Sequence, residues 1–211
     1  MTYQEIMDSD FFTDTYTKIE KLKKDFPVNH GFIHIRHVVE NGKHVAQVFN
    51  LDEKQTQQLL VACTLHDIGY LMGRNDHAKN GGDFAKQVLT NWGFDSQDVE
   101  IISTAISNHG GDTIDCYNDV ISRCLILADK LDFVKTRYRL IPGYSYNTYA
   151  YFHIKKTYIT YDKNKISLHV VYDGWDFFEE FLDASFCAKL KNCLALLSKV
   201  LNCEYDLVIE K

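Results

Sequence analysis

The sequence predicts a mainly α-helical protein with a small antiparallel β appendage and a long helix near the C-terminus. Apolar residues recur every three or four positions through most of residues 10–138, which is the period of an amphipathic helix. Residues 165–172 instead alternate between apolar and polar side chains, which is the period of a strand. Proline interrupts the chain at only two positions, Pro27 and Pro142, so little breaks the helical pattern.

The size and charge of the chain limit what it can be. Its 211 residues suit a helical core over 1–140 and a β-hairpin with a helix over 141–211, packed together as a single domain. The net charge of -6 argues against general affinity for nucleic-acid polymers or anionic membranes. The start of the chain does not resemble a signal peptide, and no apolar run approaches about 18 residues. We therefore expect a cytoplasmic protein whose six cysteines, which include no CxxC pair, are reduced core residues.

Six amphipathic helices are expected before the C-terminal region. The spacing predicts them over residues 10–24, 34–50, 53–67, 77–91, 95–109 and 117–138. In the first of these, Tyr16 and Leu22 are expected to face the core, and the lysines, Lys23 among them, to face solvent. The Gly81-Gly82 pair leaves an alternative for the fourth helix, which could begin only after Gly82.

The C-terminal region has a different character. Strands are predicted over 151–161 and 165–172, joined by a three-residue hairpin turn, and a long helix is predicted over 176–201. Residues 203–209 are a candidate third strand. The tyrosine-rich segment 144–151 has two interpretations: it stacks on a substrate base, or it packs against the protein or a second subunit.

One apolar run that ends in a His-Asp pair organises the helical region. Residues 59–65 are almost entirely apolar and are followed by His66, Asp67 and, after one residue, Gly69. This pattern predicts a helix that crosses the core and delivers the pair at its inner end. Adjacent side chains on a helix point about 100° apart, yet they can converge on one ion that lies near the helix end.

Further histidines and a carboxylate stand where they could complete a metal site. His34 begins an inward apolar face, His109 ends one, and His77 opens a helix. Asp129 lies in an apolar helical context, where a carboxylate is costly unless it is paired or binds a metal. Any one of these histidines could instead be an ordinary core or surface residue. Taken together, imidazole and carboxylate are ligands of Fe, Mn, Zn and related ions, and there are more of them than one tetrahedral ion needs. The set suits two ions that share a bridging carboxylate.

These motifs resemble the HD-domain metal-dependent phosphohydrolases. The resemblance rests on His34-Ile35-x-x-Val38, Leu65-His66-Asp67-Ile68-Gly69 and Ala128-Asp129-Lys130-Leu131-Asp132, and it covers roughly residues 28–138. It implies an HD-domain bundle of about five helices in which the first metal ion is held by His34, His66, Asp67 and Asp129. His77-Ala78-x-x-Gly81 and Ala105-Ile106-x-x-His109 resemble the dinuclear branches, where Asp67 would bridge to a second ion held by His77 and His109.

The sequence departs from that pattern in two places. Gly69-Tyr70 stands where many relatives have Gly-Lys, and the additional His-His pair of the cyclic dinucleotide phosphodiesterases is absent. The second departure argues against activity on cyclic dinucleotides.

The resemblance implies hydrolysis of a phosphate ester or anhydride in a small, nucleotide-like molecule through a metal-activated hydroxide. Two divalent ions are expected, with Fe or Mn favoured over Zn, Ni, Co or Mg. Asp67 is a candidate catalytic residue as the bridge, and Arg74, Lys79 and Lys130 are candidates for binding the phosphate, because they neighbour the ligands. Asp132 either carries a proton to the leaving group or makes a structural hydrogen bond.

Two other functions use the same residues. Some relatives, such as the inositol oxygenases, are di-iron oxygenases with a similar His/Asp set. A non-catalytic binding or signalling module is the third possibility. For the hydrolase, the expected partner is a small phosphorylated substrate rather than a nucleic-acid polymer or a membrane, and a homodimer is compatible with the sequence.

Overall fold

The computed structural model describes residues 1–139, 150–176 and 185–211. In the N-terminal part the helices are α1 (Tyr3–Met7), α2 (Asp10–Leu22), α3 (Phe32–Val48), α4 (Glu53–Leu65), α5 (His77–Asn91), α6 (Ser96–Asn108) and α7 (Val120–Lys130). The C-terminal part contains β1 (Ile154–Tyr161), β2 (Lys165–Tyr172), α8 (Ser185–Leu201) and β3 (Glu204–Glu210). Short 3-10 helices lie at Ile68–Met72, Ile114–Tyr117, Lys135–Arg137 and Ala150–His153. The chain is therefore mainly α-helical, as predicted.

Side-chain caps fix where several helices begin. Asp52 accepts a hydrogen bond from the Gln55 backbone while the Gln55 side chain accepts one from the Asp52 backbone, which forms a capping box at the start of α4. Ser9 and Asp119 cap α2 and α7 in the simpler way, each accepting from a backbone N–H three residues on. These local signals explain why most predicted and observed helix starts nearly coincide.

Helix α4 is the centre of the bundle. Every side chain from Gln58 to Leu65 is buried, and the helix packs against α3, α6 and α7. A helix that is buried all round must lie inside the protein rather than on one of its faces. The prediction that the apolar run crosses the core is therefore confirmed, and His66 and Asp67 lie at its inner end.

The end of α2 differs from the prediction. Leu22 is 58% exposed, whereas Lys23 is only 5% exposed and points into the protein. The helix ends at Leu22, so helical spacing no longer decides which way the next side chains face.

Helix α7 is shorter than the predicted helix over 117–138. It ends at Lys130, the chain leaves the helical path at Leu131–Val134, and a separate 3-10 turn forms at Lys135–Arg137. Phe133, between the end of α7 and this turn, is fully buried. The apolar spacing continues past Lys130 because Leu131 and Phe133 are also buried in the core. These residues belong to the segment after α7 and not to the helix itself.

The strands form one three-stranded sheet in the order β1-β2-β3. Strands β1 and β2 are the predicted antiparallel hairpin, with Ile159 opposite Leu168. Strand β3 runs parallel to β2, so the appendage is a mixed sheet rather than a wholly antiparallel one. Helix α8 lies between β2 and β3 in the chain, and a helical crossover of this kind returns the chain in the parallel direction.

The appendage packs on the helical core through β1. His44 of α3 donates a hydrogen bond from Nε2 to the Ile159 carbonyl at 2.9 Å. Of the tyrosine-rich segment, residues 144–149 lie outside the described residues, but Tyr151 is buried and stacks on Tyr138 with 4.3 Å between ring centroids. For Tyr151, the packing interpretation therefore holds.

Helix α8 covers the later part of the long helix predicted over 176–201, and residues 177–184 lie outside the described residues. Leu190, Leu194 and Leu197 of α8 are buried, as expected. All six cysteines lie within the described residues, and none of them forms a disulfide. Among the helices described, none has the length and apolar character needed to cross a membrane.

Two glycines bring α5 against the rest of the site. A Cβ on Gly69 would overlap the His77 carbonyl oxygen and would lie 2.6 Å from the Gly81 nitrogen. A Cβ on Gly82 would lie 2.6 Å from the Ser103 carbonyl oxygen of α6. Helix α5 begins at His77, so the alternative start after Gly82 is wrong, and the glycines are present because backbones meet there.

Replacing Gly69 by alanine is expected to push the start of α5 away from the core. Because the added carbon meets backbone atoms rather than a flexible side chain, we expect a loss of about 1–3 kcal/mol in the free energy of unfolding. Since the His77 backbone must shift, metal bound through His77 should be weakened as well. Urea unfolding with metal analysis checks both effects. Unchanged stability together with unchanged metal content would contradict this packing account.

Candidate metal centre

Two clusters of ligand atoms meet at Asp67. His34, His66 and Asp129 offer atoms that all lie within 4.8 Å of one another, and so do those of Asp67, His77 and His109. A third such group consists of His30, His34 and Asp67. The structure therefore brings together all six side chains that the sequence singles out as candidate ligands, from the ends or inner faces of α3, α4, α5, α6 and α7.

The first cluster is centred on His34. Its Nε2 atom lies 3.3 Å from Asp67 Oδ2, 3.3 Å from Asp129 Oδ1 and 3.1 Å from His66 Nε2. All four side chains are almost completely buried. Two imidazoles and two carboxylates enclosed in this way form a donor set for a divalent first-row ion.

Backbone carbonyls fix which ring nitrogens face the clusters. His66 donates from Nδ1 to the Cys63 carbonyl at 2.9 Å, and His109 donates from Nδ1 to the Ile106 carbonyl at 2.7 Å. His77 donates in the same way to the Arg74 carbonyl at 3.1 Å. Because a carbonyl oxygen can only accept, each Nδ1 carries a proton, and each Nε2 of a neutral ring presents a lone pair to the shared space.

The second cluster shows most clearly that a cation fits. His77 Nε2 and His109 Nε2 lie 3.2 Å apart. Burial lowers the pKa of both rings, that of His109 to about 3, so both are neutral at ordinary pH. Two lone pairs facing each other at this distance repel unless a cation lies between them. With Asp67 Oδ1 3.7 Å from His109 Nε2, the cluster has the composition of a divalent-metal site.

Asp67 turns a different oxygen toward each cluster. Its Oδ2 atom faces His34 and His66, at 3.3 and 3.4 Å from their Nε2 atoms, whereas Oδ1 faces His109. Burial alone would raise the pKa of Asp67, but the neighbouring histidines, His66 foremost, keep it well below its usual range. Asp67 is therefore ionised and directs one oxygen to each cluster. A carboxylate that bridges two ions needs this arrangement.

The first cluster also attracts positive charge. Burial and the Arg137 guanidinium lower the pKa of His34, but hydrogen bonds to Asp129, Asp132 and Asp67 outweigh them and raise it to about 10. In the absence of metal, a proton on His34 therefore supplies the positive charge that these carboxylates need. A divalent ion bound to Nε2 would displace that proton.

Asp132 holds His34 in position. Asp132 Oδ2 accepts a hydrogen bond from His34 Nδ1 at 2.6 Å, and its Oδ1 accepts one from His37 Nδ1 at 2.8 Å. Asp132 is buried and does not line the cavity beside the clusters. Of the two roles considered for it, the geometry supports the structural hydrogen bond, which leaves His34 Nε2 directed at the site.

Replacing Asp132 by asparagine is expected to weaken metal binding about 10–100-fold, because the His34 ring loses the carboxylate that orients it. Binding measured by competition with a chelator checks this. Asp83→Asn, on the exposed side of α5, is the matched control and should bind metal as the wild type does. Equal affinities for the two variants would show that Asp132 does not act through His34.

Arg137 lies behind the ligands. Its side chain is buried, with only 8% of the residue exposed. Its Nη1 atom lies 3.4 Å from Asp129 Oδ1 and 3.2 Å from Asp132 Oδ2, and it also contacts His34. Arg137 therefore compensates the charge of two buried carboxylates while it lines one side of the cavity.

A cavity of about 390 Å³ opens onto both clusters. The charged and aromatic residues of its wall are Lys23, Phe26, His30, Asp67, Tyr70, Arg74, His77, His109, Asp112, Asp129, Lys130, Arg137 and Lys189. Of the predicted phosphate-binding residues, Arg74 is exposed at the rim, and Lys130 is part-buried with Nζ 3.3 Å from Asp129 Oδ2. Lys79 is not part of the wall.

Three residues of the site were missed as site residues by the sequence analysis. His30 lies with Nδ1 2.7 Å from Asp67 Oδ2, and its ring contacts Tyr70, with centroids 4.3 Å apart. Its spacing of four from His34 was the available signal, but His30 precedes α3, where helical spacing does not apply. Tyr70 and Lys23 carried no pattern that marks a site.

Comparisons with known proteins give the same family as the sequence motifs. The family model described as HD domain matches residues 31–134. One similar solved structure is a predicted HD superfamily hydrolase from an uncultured Thermotogales bacterium. It is 27% identical, covers 64% of this chain and 75% of its own, and superposes with a TM-score of 0.46. Among curated proteins, none matches the chain.

Proposed function

Since residues 31–134 belong to the HD-domain family, we propose that the chain is a metal-dependent phosphohydrolase that cleaves an ester or anhydride bond of a small phosphorylated molecule. The observation that carries this proposal is the cavity itself. Members of both His/Asp clusters line it, among them Asp67, which the clusters share, and so do several cationic side chains. Metal ligands and cations that face one cavity suit an anionic substrate that also contacts the metal.

Two divalent ions held by these clusters would polarise the phosphoryl group and lower the pKa of a water molecule. His34, His66, Asp67 and Asp129 would hold the first ion; Asp67, His77 and His109 would hold the second. Asp67 would be the ligand that the two sets have in common. Its burial keeps solvent from competing for the ligands.

The cationic residues of the wall have separate tasks in this proposal. Arg74 at the rim can donate two parallel hydrogen bonds to phosphate oxygens, which orients the group. Lys130 is tied to Asp129 and supplies positive charge close to the first cluster. Hydrolysis adds the oxygen of water to phosphorus and breaks the bond to the leaving oxygen, so charge develops where these residues lie.

The size and lining of the cavity support a small, nucleotide-like substrate. Its volume of about 390 Å³ lies at the lower end of the range of about 300–1,000 Å³ for small-molecule pockets. Phe26 presents an aromatic ring on the wall, against which a base could pack.

A panel assay tests the proposed function. The protein is loaded with Mn or Fe, and phosphate release is followed for nucleotides, other phosphomonoesters and phosphoanhydrides. We expect release from at least one class, and its loss in His66→Ala. Oxygen uptake with a mixed-valent iron signal and no phosphate release would indicate the oxygenase instead. Purified protein that takes up no metal would indicate a binding module and would overturn the proposal.

A further inference from the structure

Lys23 is a buried cation on the wall of the cavity. Only 5% of it is exposed, and its ammonium lies 4.1 Å from the ring centroid of Tyr70 and 4.5 Å from that of Phe26. Within residues 1–139, 150–176 and 185–211, no carboxylate forms an ion pair with it. Two cation–π contacts hold the ammonium at the cavity in place of a paired carboxylate.

The other cations nearest the clusters are already paired. Lys130 contacts Asp129, and Arg137 contacts both Asp129 and Asp132. Among the cations that line the described cavity, this leaves Lys23, Arg74 and Lys189 without a carboxylate partner. They come from the end of α2, the segment before α5, and α8, so three separate parts of the fold direct positive charge into one space.

Lys23 and Arg74 share one neighbour. The Arg74 guanidinium carbon lies 5.5 Å from the centroid of the Phe26 ring, over which Lys23 also lies. Burial, and after it the Arg74 charge, lowers the pKa of Lys23. Like charges gathered in this way repel each other, and an anion between them would remove the cost.

The position of Lys23 relative to the clusters indicates which anion fits. The Tyr70 ring stacks on the His77 ring with centroids 4.2 Å apart, and the Lys23 ammonium lies over the same Tyr70 ring. One aromatic ring therefore separates Lys23 from a candidate metal ligand. A phosphate held at the clusters would leave Lys23 and Arg74 for a second anionic group a few bonds farther along the substrate.

We infer that the site takes organic diphosphates, with one phosphate at the metal clusters and the second held by Lys23 and Arg74. This inference rests on the proposed function. Water would add to the phosphorus at the clusters, and the bond to the bridging oxygen would break with its electron pair going to the second phosphate. The protons of the water pass to solvent. Lys23 and Arg74 would neutralise the charge that this leaving phosphate gains.

A second phosphate fits better than a carboxylate at this point. A phosphate carries up to two negative charges and has oxygens in several directions, so it can meet a lysine and an arginine from different elements at once. A single carboxylate would leave one of the gathered cations uncompensated.

Binding without chemistry is the first test. The metal-loaded protein is used, and pyrophosphate is supplied as its methylene analogue, whose P–C–P link water cannot cleave. Calorimetry compares this pyrophosphate analogue, inorganic phosphate and phosphonoacetate, in which a carboxylate replaces one phosphate. We expect pyrophosphate to bind at least about tenfold more tightly than the other two. Lys23→Met should lose this preference, while Lys23→Arg should retain most of it.

The control for the binding test is Lys24→Met, because Lys24 is the exposed neighbour of Lys23. It should bind pyrophosphate as the wild type does. Circular dichroism and thermal unfolding establish that each variant is folded, and Lys23→Arg keeps the test valid if Lys23→Met is not. Equal pyrophosphate binding by Lys23→Met and the wild type, or equal binding of phosphonoacetate and pyrophosphate, would overturn the inference.

Kinetics then separate this inference from the proposed function. With the metal-loaded enzyme, kcat/KM is compared for an alkyl monophosphate and the matching alkyl diphosphate. We expect the diphosphate to be preferred, and Lys23→Met to lower kcat/KM for the diphosphate at least about tenfold more than for the monophosphate. Monophosphate turnover with no diphosphate preference would overturn only the inference. If neither ester is cleaved, the proposed function fails, and pyrophosphate binding still decides whether Lys23 holds a second phosphate.

Discussion

Replacing Asp67 by alanine is expected to empty both metal clusters and to lower phosphate release by at least about a thousandfold. Asp67 directs Oδ2 to His34 and His66 and Oδ1 to His109, so one substitution removes a ligand from each side. Losing metal removes several kcal/mol of transition-state stabilisation, and each 1.4 kcal/mol is about tenfold in rate. Elemental analysis of metal per chain, together with kcat/KM, measures both effects.

Two comparisons make the Asp67 result specific. His66→Ala should weaken mainly the first ion, because His66 belongs to only one of the two clusters that meet at Asp67. Asp83→Ala, which removes an exposed aspartate of α5, should leave metal content and activity unchanged. Retention of both ions in Asp67→Ala would rule out a bridging role for this carboxylate.

Replacing Arg137 by methionine is expected to destabilise the metal-free protein by about 3–5 kcal/mol. The guanidinium lies between Asp129 and Asp132, both buried, and removing one partner of a buried ion pair leaves uncompensated charge. A divalent ion in the first cluster would compensate Asp129, so added metal should recover part of the loss. Urea unfolding with and without Mn measures the difference.

Arg36→Met is the control for the Arg137 variant, since Arg36 is exposed on α3. It should change the free energy of unfolding by less than about 0.5 kcal/mol. A similarly small effect in Arg137→Met would show that the carboxylates are compensated by another group.

The candidate ligands could be predicted from the sequence because each is marked by a local pattern. His34, His109 and Asp129 lie on apolar helical faces, and His77 opens a helix whose glycines allow close packing. Such patterns depend on neighbours within a few turns. They identify which side chains face inward, although they do not show that side chains from separate helices meet.

Features set by contacts between distant segments could not be predicted in this way. Lys23 follows the last turn of α2, and its burial depends on Phe26 and on Tyr70 from another element. Arg137 reaches the site because the chain leaves the helical path after Lys130. The parallel direction of β3 depends on the crossover through α8. In each case the direction of the chain changes at a point that the spacing of apolar residues does not mark.

Metal content per chain is the most direct test of a centre in which Asp67 is a ligand of two metal ions. The protein is saturated with Mn or Fe, freed of excess ion and analysed for metal. We expect about two ions per chain in the wild type, about one in the double variant His77→Ala, His109→Ala, and fewer than one in Asp67→Ala. About one ion per chain in the wild type, with the same content in the double variant, would contradict the second metal site.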